Sequence, residues 1–130
     1  MAKLTAKQVN ELANSFLAMA QAIGDYRYLN YDSITKGQKQ KLKALHWSVL
    51  QTADDFYTLS ASLTLDDAET ALQAIGKISK DIKASYKKLK DVQKAIKLAT
   101  SMVVLGSAVL SKNPLALLEA ITAFEPKKTS

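Results

Sequence analysis

The chain of 130 residues contains no cysteine. Disulfide scaffolds, thiolate metal sites and cysteine nucleophiles are therefore excluded, because each of them needs a sulfur that this sequence does not supply. The absence does not by itself fix the cellular compartment.

Residues that interrupt helices are rare. There are two prolines, Pro114 and Pro126, four glycines, and only 7% aromatic residues. A long stretch without helix breakers, rich in alanine, leucine and lysine, predicts an all-α protein. The length suits one domain. We expect a single helical-bundle domain over residues 1–124, followed by a polar, disordered tail over residues 125–130.

Side chains that bind metals or catalyse reactions are also scarce. The sequence has four glutamates, one histidine (His46) and no Glu-x-x-His motif, so it lacks the ligands of a carboxylate-bridged or zinc centre. Isolated glycines make no phosphate-binding loop. His46 could be a general base or a pH switch, but without a catalytic partner we interpret it as a residue at the core boundary. We expect no metal, no cofactor and no enzymatic activity.

Apolar residues spaced three and four apart predict the first two helices. Helix 1 should begin near Thr5 and carry this pattern to Tyr26. Helix 2 should begin after Thr35, which together with Gln38 has the spacing of a capping box. Tyr26 also belongs to a group of aromatic and basic residues that either closes the end of the bundle or contacts a partner; the group is Tyr26, Arg27, Tyr28 and Tyr31.

The third helix is predicted to be the longest, from about Asp66 to Ser111. Its apolar positions follow a coiled-coil-like spacing without a slip: Ile75, Ile78, Ile82, Ser85, Leu89, Val92, Ile96, Ala99, Val103, Gly106 and Leu110. An unbroken helix of this length would span roughly 65–70 Å and extend beyond the first two helices. Two alternatives remain open, a continuous helix or a helix divided near Gly76.

A short fourth helix should begin at Asn113–Pro114, because asparagine is a good cap and proline is favoured at the first helical position. We expect it to reach Phe124 and to form an apolar hairpin with the end of helix 3. From Leu98 onward helix 3 is apolar on all sides, so this part must be buried in a core, a partner or a membrane. The predicted contact residues of the hairpin are Leu98, Met102, Val104, Leu105, Val109, Leu115, Leu118, Ile121 and Phe124.

A basic stripe is predicted on helix 3, on the side opposite its apolar positions. It consists of Lys77, Lys80, Lys83, Lys87, Lys90, Lys94 and Lys97. Residues 77–97 contain eight lysines and two aspartates, a charge of +6 that equals the net charge of the whole chain. A solvated helix face explains the stripe most simply. An acidic partner, an anionic membrane or nucleic acid are the alternatives.

Together these features predict an antiparallel bundle of three to four helices that acts as a non-enzymatic interaction protein. It would self-associate, or bind another protein, through the apolar hairpin. The alternative is a membrane-active helical protein whose lysine stripe binds anionic lipid while the hairpin inserts. Nucleic acid is disfavoured, since all but one of the 18 basic residues are lysine and base recognition favours arginine. We expect a cytoplasmic protein, peripheral to a membrane under the alternative.

Overall fold

Four long helices and one short helix form the fold in a computed structural model, which describes residues 2–124. They are α1 (Ala6–Leu29), α2 (Lys36–Thr58), α3 (Ala68–Lys88), α4 (Val92–Ser111) and α5 (Pro114–Thr122). Single 3-10 turns cover Tyr31–Ser33 and Ser60–Ser62. The predicted all-α class is confirmed. The tail predicted over residues 125–130 lies outside the described residues.

Side-chain caps begin three of the helices at the predicted positions. The Thr35 hydroxyl accepts a hydrogen bond from the Gln38 backbone N–H (3.1 Å), and the Gln38 side chain accepts one from the Thr35 N–H (2.8 Å). Thr5 and Gln8 form the same reciprocal pair at the start of α1. The Asn113 side chain accepts from two N–H groups of the first turn of α5. Each cap satisfies donors that the helix itself leaves free.

Helix α1 is the element against which the bundle is built. α2 runs antiparallel to it, with the Arg27 Nε donating to the Lys39 carbonyl (3.1 Å) at one end. At the other end the Tyr57 hydroxyl donates to Asn10 Oδ1 (2.7 Å). α3 also packs on α1, whereas α4 returns in the opposite direction and packs mainly on α2. Helices that follow one another in the sequence alternate in direction, as an antiparallel bundle requires.

The core contains apolar residues from all five helices, gathered in one cluster. Phe16 and Phe56 meet edge to face at its centre, with ring centroids 4.9 Å apart. α4 contributes small residues, and a Cβ placed on Gly106 would lie 2.6 Å from Thr52 Cγ2. The α4 backbone at Gly106 is therefore in close contact with the Thr52 side chain of α2.

A two-residue β-ladder closes one end of the bundle. β1 (Ala2–Lys3) pairs antiparallel with β2 (Thr64–Leu65). The sequence did not predict this pairing, because two-residue strands carry no recognisable alternation of polar and apolar residues. Helix α3 accordingly begins at Ala68, two residues later than predicted.

The prediction of one long third helix is wrong, in both its continuous form and the form divided near Gly76. α3 runs through Gly76 and ends at Lys88, and α4 begins at Val92. Leu89 has an extended backbone (φ −78°, ψ 127°). The Asp91 carboxylate accepts from the Gln93 N–H (2.9 Å) and so caps a new helix. The predicted overhang does not exist, because α4 turns back along the bundle.

The break also shifts which residues of α4 are buried. The predicted seam used Val92, Ile96 and Val103, which are only half-buried. Ala99 and Gly106 of the seam are buried, and the other buried positions include Ala95, Met102, Leu105 and Val109, which the seam did not contain. The apolar spacing continues across the break in the sequence, but the two halves face different neighbours, α1 for α3 and α2 for α4.

Candidate functional site

The structure divides the nine predicted hairpin residues into three groups. Met102, Leu105 and Val109 are fully buried in the core of the bundle. Leu98, Ile121 and Phe124 are half-buried. Val104, Leu115 and Leu118 are exposed, with fractional exposures of 54%, 63% and 61%. Only the last two groups are available to a partner while the protein remains folded.

The exposed leucines line a groove between α5 and the beginning of α3, called here the α3–α5 groove. Its volume is about 430 Å³, and its walls include Ala71, Leu115, Leu118 and Ile121. Asp66 and Asp67 provide carboxylates at its edge. Val104 lies on the other side of α5, in a second shallow groove between α4 and α5. The exposed apolar residues therefore do not form one continuous surface.

All seven lysines of the predicted basic stripe are exposed. The prediction placed them on one helix, which is wrong. The break after Lys88 leaves four of them on α3, one in the connection and two on α4. Within the described residues the only ion pair is Lys77–Asp81 (3.1 Å). The other six lysine ammonium groups make no ion pair in this part of the chain.

By length and composition alone, α4 would suit a membrane span, and it is the one helix among residues 2–124 that would. The core helix of a water-soluble bundle meets the same criteria. In this structure seven residues of α4 are buried in the bundle, Met102, Leu105 and Val109 among them. Insertion into a bilayer would therefore require the bundle to open first.

The aromatic and basic group at the end of α1 is also divided. Tyr26 is buried and packs against Tyr86, with ring centroids 5.4 Å apart, so it closes the end of the bundle. The Lys39 ammonium lies 3.8 Å above the Tyr31 ring, a cation–π contact. Tyr28 is 80% exposed.

His46 lies at the core boundary, half-buried against Gly24 of α1. Burial lowers the pKa of His46, the Arg27 guanidinium lowers it further, and the Asp25 carboxylate partly opposes both. No group of His, Asp or Glu within residues 2–124 is arranged to hold a metal ion.

A small cavity between α1 and α3, called here the α1–α3 cavity, was not predicted. It has a volume of about 160 Å³. Its lining combines apolar, acidic and basic side chains: Ala18, Gln21, Ala22, Asp25, Tyr26, Leu29, Lys83, Tyr86 and Lys87. The sequence offers no pattern that joins these residues, because their proximity depends on α3 packing on α1.

Comparison of the chain with protein-family models, with curated protein sequences and with solved structures finds no match.

Proposed function

We propose that the protein is a non-enzymatic interaction protein that self-associates through the α3–α5 groove. The observation that carries this proposal is the exposure of Leu115 and Leu118, more than 60% each, beside one another on α5. Residues three apart on a helix project from the same face. Apolar side chains exposed together beside a groove are typical of a surface that is covered in a complex.

A second copy of the chain fits this groove better than a charged partner. α5 carries a single charged residue, Glu119, among its nine residues. Its exposed leucines could therefore pack against the same leucines of another copy while Asp66 and Asp67 stay in solvent at the edge of the groove. Such a contact would be isologous, with α5 of one copy meeting α5 of the other across a two-fold axis.

The expected dimer is weak. Complete burial of an exposed leucine contributes about 1.5–3 kcal/mol, and the few leucines of this contact are already partly buried. Their gain is opposed by the translational and rotational freedom that the two copies lose on association. We therefore expect a dimer that forms and dissociates with concentration rather than a permanent assembly.

Sedimentation velocity over a range of protein concentrations tests this proposal. The wild-type protein should show a mass that rises with concentration, and Leu118→Asp should remain a monomer. Leu29→Asp is the matched control, because Leu29 is 79% exposed at the far end of the bundle and its substitution should leave the association unchanged. Leu105→Asp is unsuitable, since Leu105 is fully buried and the charge would unfold the protein. Equal association of wild type and Leu118→Asp would disprove this interface.

A membrane-active protein is the second candidate, favoured by the six lysines that make no ion pair within the described residues. Ammonium groups of this kind attract anionic lipid headgroups at about 1 kcal/mol each near the surface. Flotation with vesicles tests it: the protein should float with anionic vesicles but not with neutral ones. Charge reversal of Lys87, Lys90 and Lys94 to glutamate should abolish flotation. A protein that floats with neither kind of vesicle would exclude this function.

A further inference from the structure

We propose that the folded bundle docks on an anionic membrane surface through the end at which α1 and α3 finish and α2 and α4 begin, called here the basic end. The inference does not rest on self-association, since the α3–α5 groove lies beside the start of α3, at the opposite end. It shares only the anionic lipid with the second candidate function, because here the bundle stays closed and the hairpin does not insert.

Contacts between helices bring distant parts of the chain together at the basic end. His46 of α2 lies against Gly24 of α1, so the part of α2 that precedes His46 is level with the end of α1. The Tyr26 and Tyr86 rings, with centroids 5.4 Å apart, join the end of α1 to the end of α3. The segments that meet here are residues 25–45 and residues 83–94.

The basic end carries more positive charge than the whole protein. Its two segments contain ten basic and three acidic residues, a charge of +7, whereas the whole chain carries +6. Eight of the ten basic side chains are exposed, and Arg27 and Lys39 are half-buried. Residues 54–69, at the opposite end, contain five acidic residues and no basic one. Because charge is distributed so unequally along the bundle, an anionic surface attracts this end and repels the other.

Two large apolar side chains project from this basic surface. Tyr28 is 80% exposed and Leu29 is 79% exposed, more than any other large apolar residue among residues 2–124. Leu29 borders the α1–α3 cavity together with Lys83 and Lys87, so it lies beside the cations of α3. This combination suits an anionic bilayer, because apolar side chains enter the interface while ammonium groups contact the headgroups.

A third aromatic side chain, Tyr31, holds two further cations at the same end. The Lys39 ammonium lies 3.8 Å and the Arg27 guanidinium carbon 5.4 Å from the centre of the Tyr31 ring. Tyr31 is 45% exposed. Tyrosine is favoured at the boundary between headgroups and hydrocarbon, where its ring is buried and its hydroxyl remains in water. The basic end therefore combines cations with aromatic residues suited to a membrane interface.

A lipid surface explains this end better than nucleic acid does. Nine of its ten basic residues are lysine, whereas base recognition favours the planar guanidinium of arginine. The single arginine, Arg27, already donates through Nε to the Lys39 carbonyl (3.1 Å). Leu29 would gain nothing from a sugar–phosphate backbone, but a bilayer interface would remove its apolar surface from water.

Flotation with lipid vesicles tests the proposal. The probes are vesicles of phosphatidylcholine alone and vesicles that contain about one third phosphatidylserine, at a protein concentration that keeps the wild type monomeric. The wild type should bind the anionic vesicles at least about tenfold more tightly than the neutral ones. It should release no trapped dye, because the bundle does not open. Equal binding to both kinds of vesicle, no binding to either, or release of the dye would overturn the proposal.

Two double variants with the same net charge locate the contact. Lys36→Gln combined with Lys41→Gln removes two exposed lysines of the basic end and should weaken binding to anionic vesicles about tenfold. The control is Lys77→Gln combined with Lys80→Gln, which removes two exposed lysines from the middle of α3 and should change the affinity little. An equal loss in both double variants would mean that net charge alone attracts the vesicles, and the basic end would not be the contact.

Tyr28→Ser combined with Leu29→Ser tests the apolar contact without a change of charge. Both side chains are exposed, so the variant should melt as the wild type does but bind anionic vesicles about tenfold more weakly. Leu115→Ser combined with Leu118→Ser is the matched control at the opposite end and should bind as the wild type does. Full affinity in the first variant, or a loss in the control that would assign the contact to the hairpin, would refute the proposal. Duplex DNA that binds the wild type but not the first variant would identify the basic end as a nucleic-acid surface instead.

Discussion

The Tyr86 hydroxyl donates a hydrogen bond of 2.7 Å to the backbone carbonyl of Ala95, and this buried contact joins the last turn of α3 to the first turn of α4. It spans the three-residue connection in which the predicted long helix is broken. The bond fixes the two helices on either side of the connection. Burial, together with the neighbouring Tyr26, keeps the pKa of Tyr86 far above its ordinary value, so the hydroxyl remains a donor.

Replacement of Tyr86 by phenylalanine should destabilise the protein by about 0.5–1.5 kcal/mol. The ring would remain, but the buried hydrogen bond from its hydroxyl to the Ala95 carbonyl would be lost, and a hydrogen bond within a protein contributes about this much to stability. Urea denaturation of wild type and variant measures the difference. Tyr28→Phe is the control, since Tyr28 is 80% exposed and its substitution should change stability little. Equal stability of wild type and Tyr86→Phe would mean that the contact contributes nothing.

The start of α4 after the break should be stabilised by the Asp91 cap. Asp91→Ala removes the acceptor for the Gln93 N–H, and loss of an N-cap costs about 1 kcal/mol. The same substitution removes a carboxylate that raises the pKa of Tyr26, so that pKa should fall. Urea denaturation and a spectrophotometric tyrosine titration measure the two effects. Asp91→Asn is the matched comparison: it keeps a capping oxygen but loses the charge, so it should lower the tyrosine pKa with little loss of stability. A stability loss in Asp91→Asn as large as in Asp91→Ala would show that capping is not the cause.

Local sequence features predicted the helices well but not the way in which the chain is divided between them. Thr35 with Gln38, and Asn113 with Pro114, determine helix starts by contacts within one turn, so the sequence shows them directly. The connection at Leu89–Asp91 contains neither glycine nor proline, and the apolar spacing continues through it. The division arises because the apolar positions of α3 pack on α1 and those of α4 on α2, which no local pattern encodes.

In the candidate sites, too, the sequence predicted features that depend on local spacing but not those that depend on how the helices pack. The exposure of the seven lysines follows from their spacing on a helix, and the sequence predicted it. The burial of Met102, Leu105 and Val109 could not be distinguished from exposure to a partner, because an apolar residue looks the same in the sequence in either case. The α1–α3 cavity joins residues about 60 positions apart, so it could be found only in the folded structure.

Substitution by alanine should change stability in opposite directions at Gly106 and Gly76. A Cβ on Gly106 would lie 2.6 Å from Thr52 Cγ2 and 3.2 Å from Phe16 Cε2. Overpacking of this kind costs about 1–3 kcal/mol, so Gly106→Ala should be destabilising. Gly76 has no atom within 4 Å of the corresponding position, and Gly76→Ala should stabilise by about 0.5–1 kcal/mol through helix propensity. Thermal and urea denaturation of both variants measure the contrast. Stabilisation by Gly106→Ala would show that α2 and α4 are not in close contact.

Acidification should lower the free energy of unfolding because His46 binds a proton more readily in the unfolded state. Its pKa is lowered in the folded state, first by burial and then by Arg27, while in the unfolded state it returns to about 6.5. Above that pH both states carry neutral imidazole and His46 has no effect on stability. Below it the unfolded state takes up the proton more readily, so the free energy of unfolding falls until the folded-state pKa is reached.

The contribution of His46 can be separated from that of the carboxylates by substitution. His46→Gln should lose the decline in stability that begins near pH 6.5, while both proteins should share any decline below about pH 5, where carboxylates titrate. Urea denaturation at pH 7.5, 6.5 and 5.5 measures the first effect, and an NMR titration of the single imidazole gives its pKa directly. Arg27→Gln should raise that pKa, because the guanidinium disfavours the imidazolium. A folded-state pKa at or above 6.5, or an equal decline in wild type and His46→Gln, would show that His46 does not cause the sensitivity to acid.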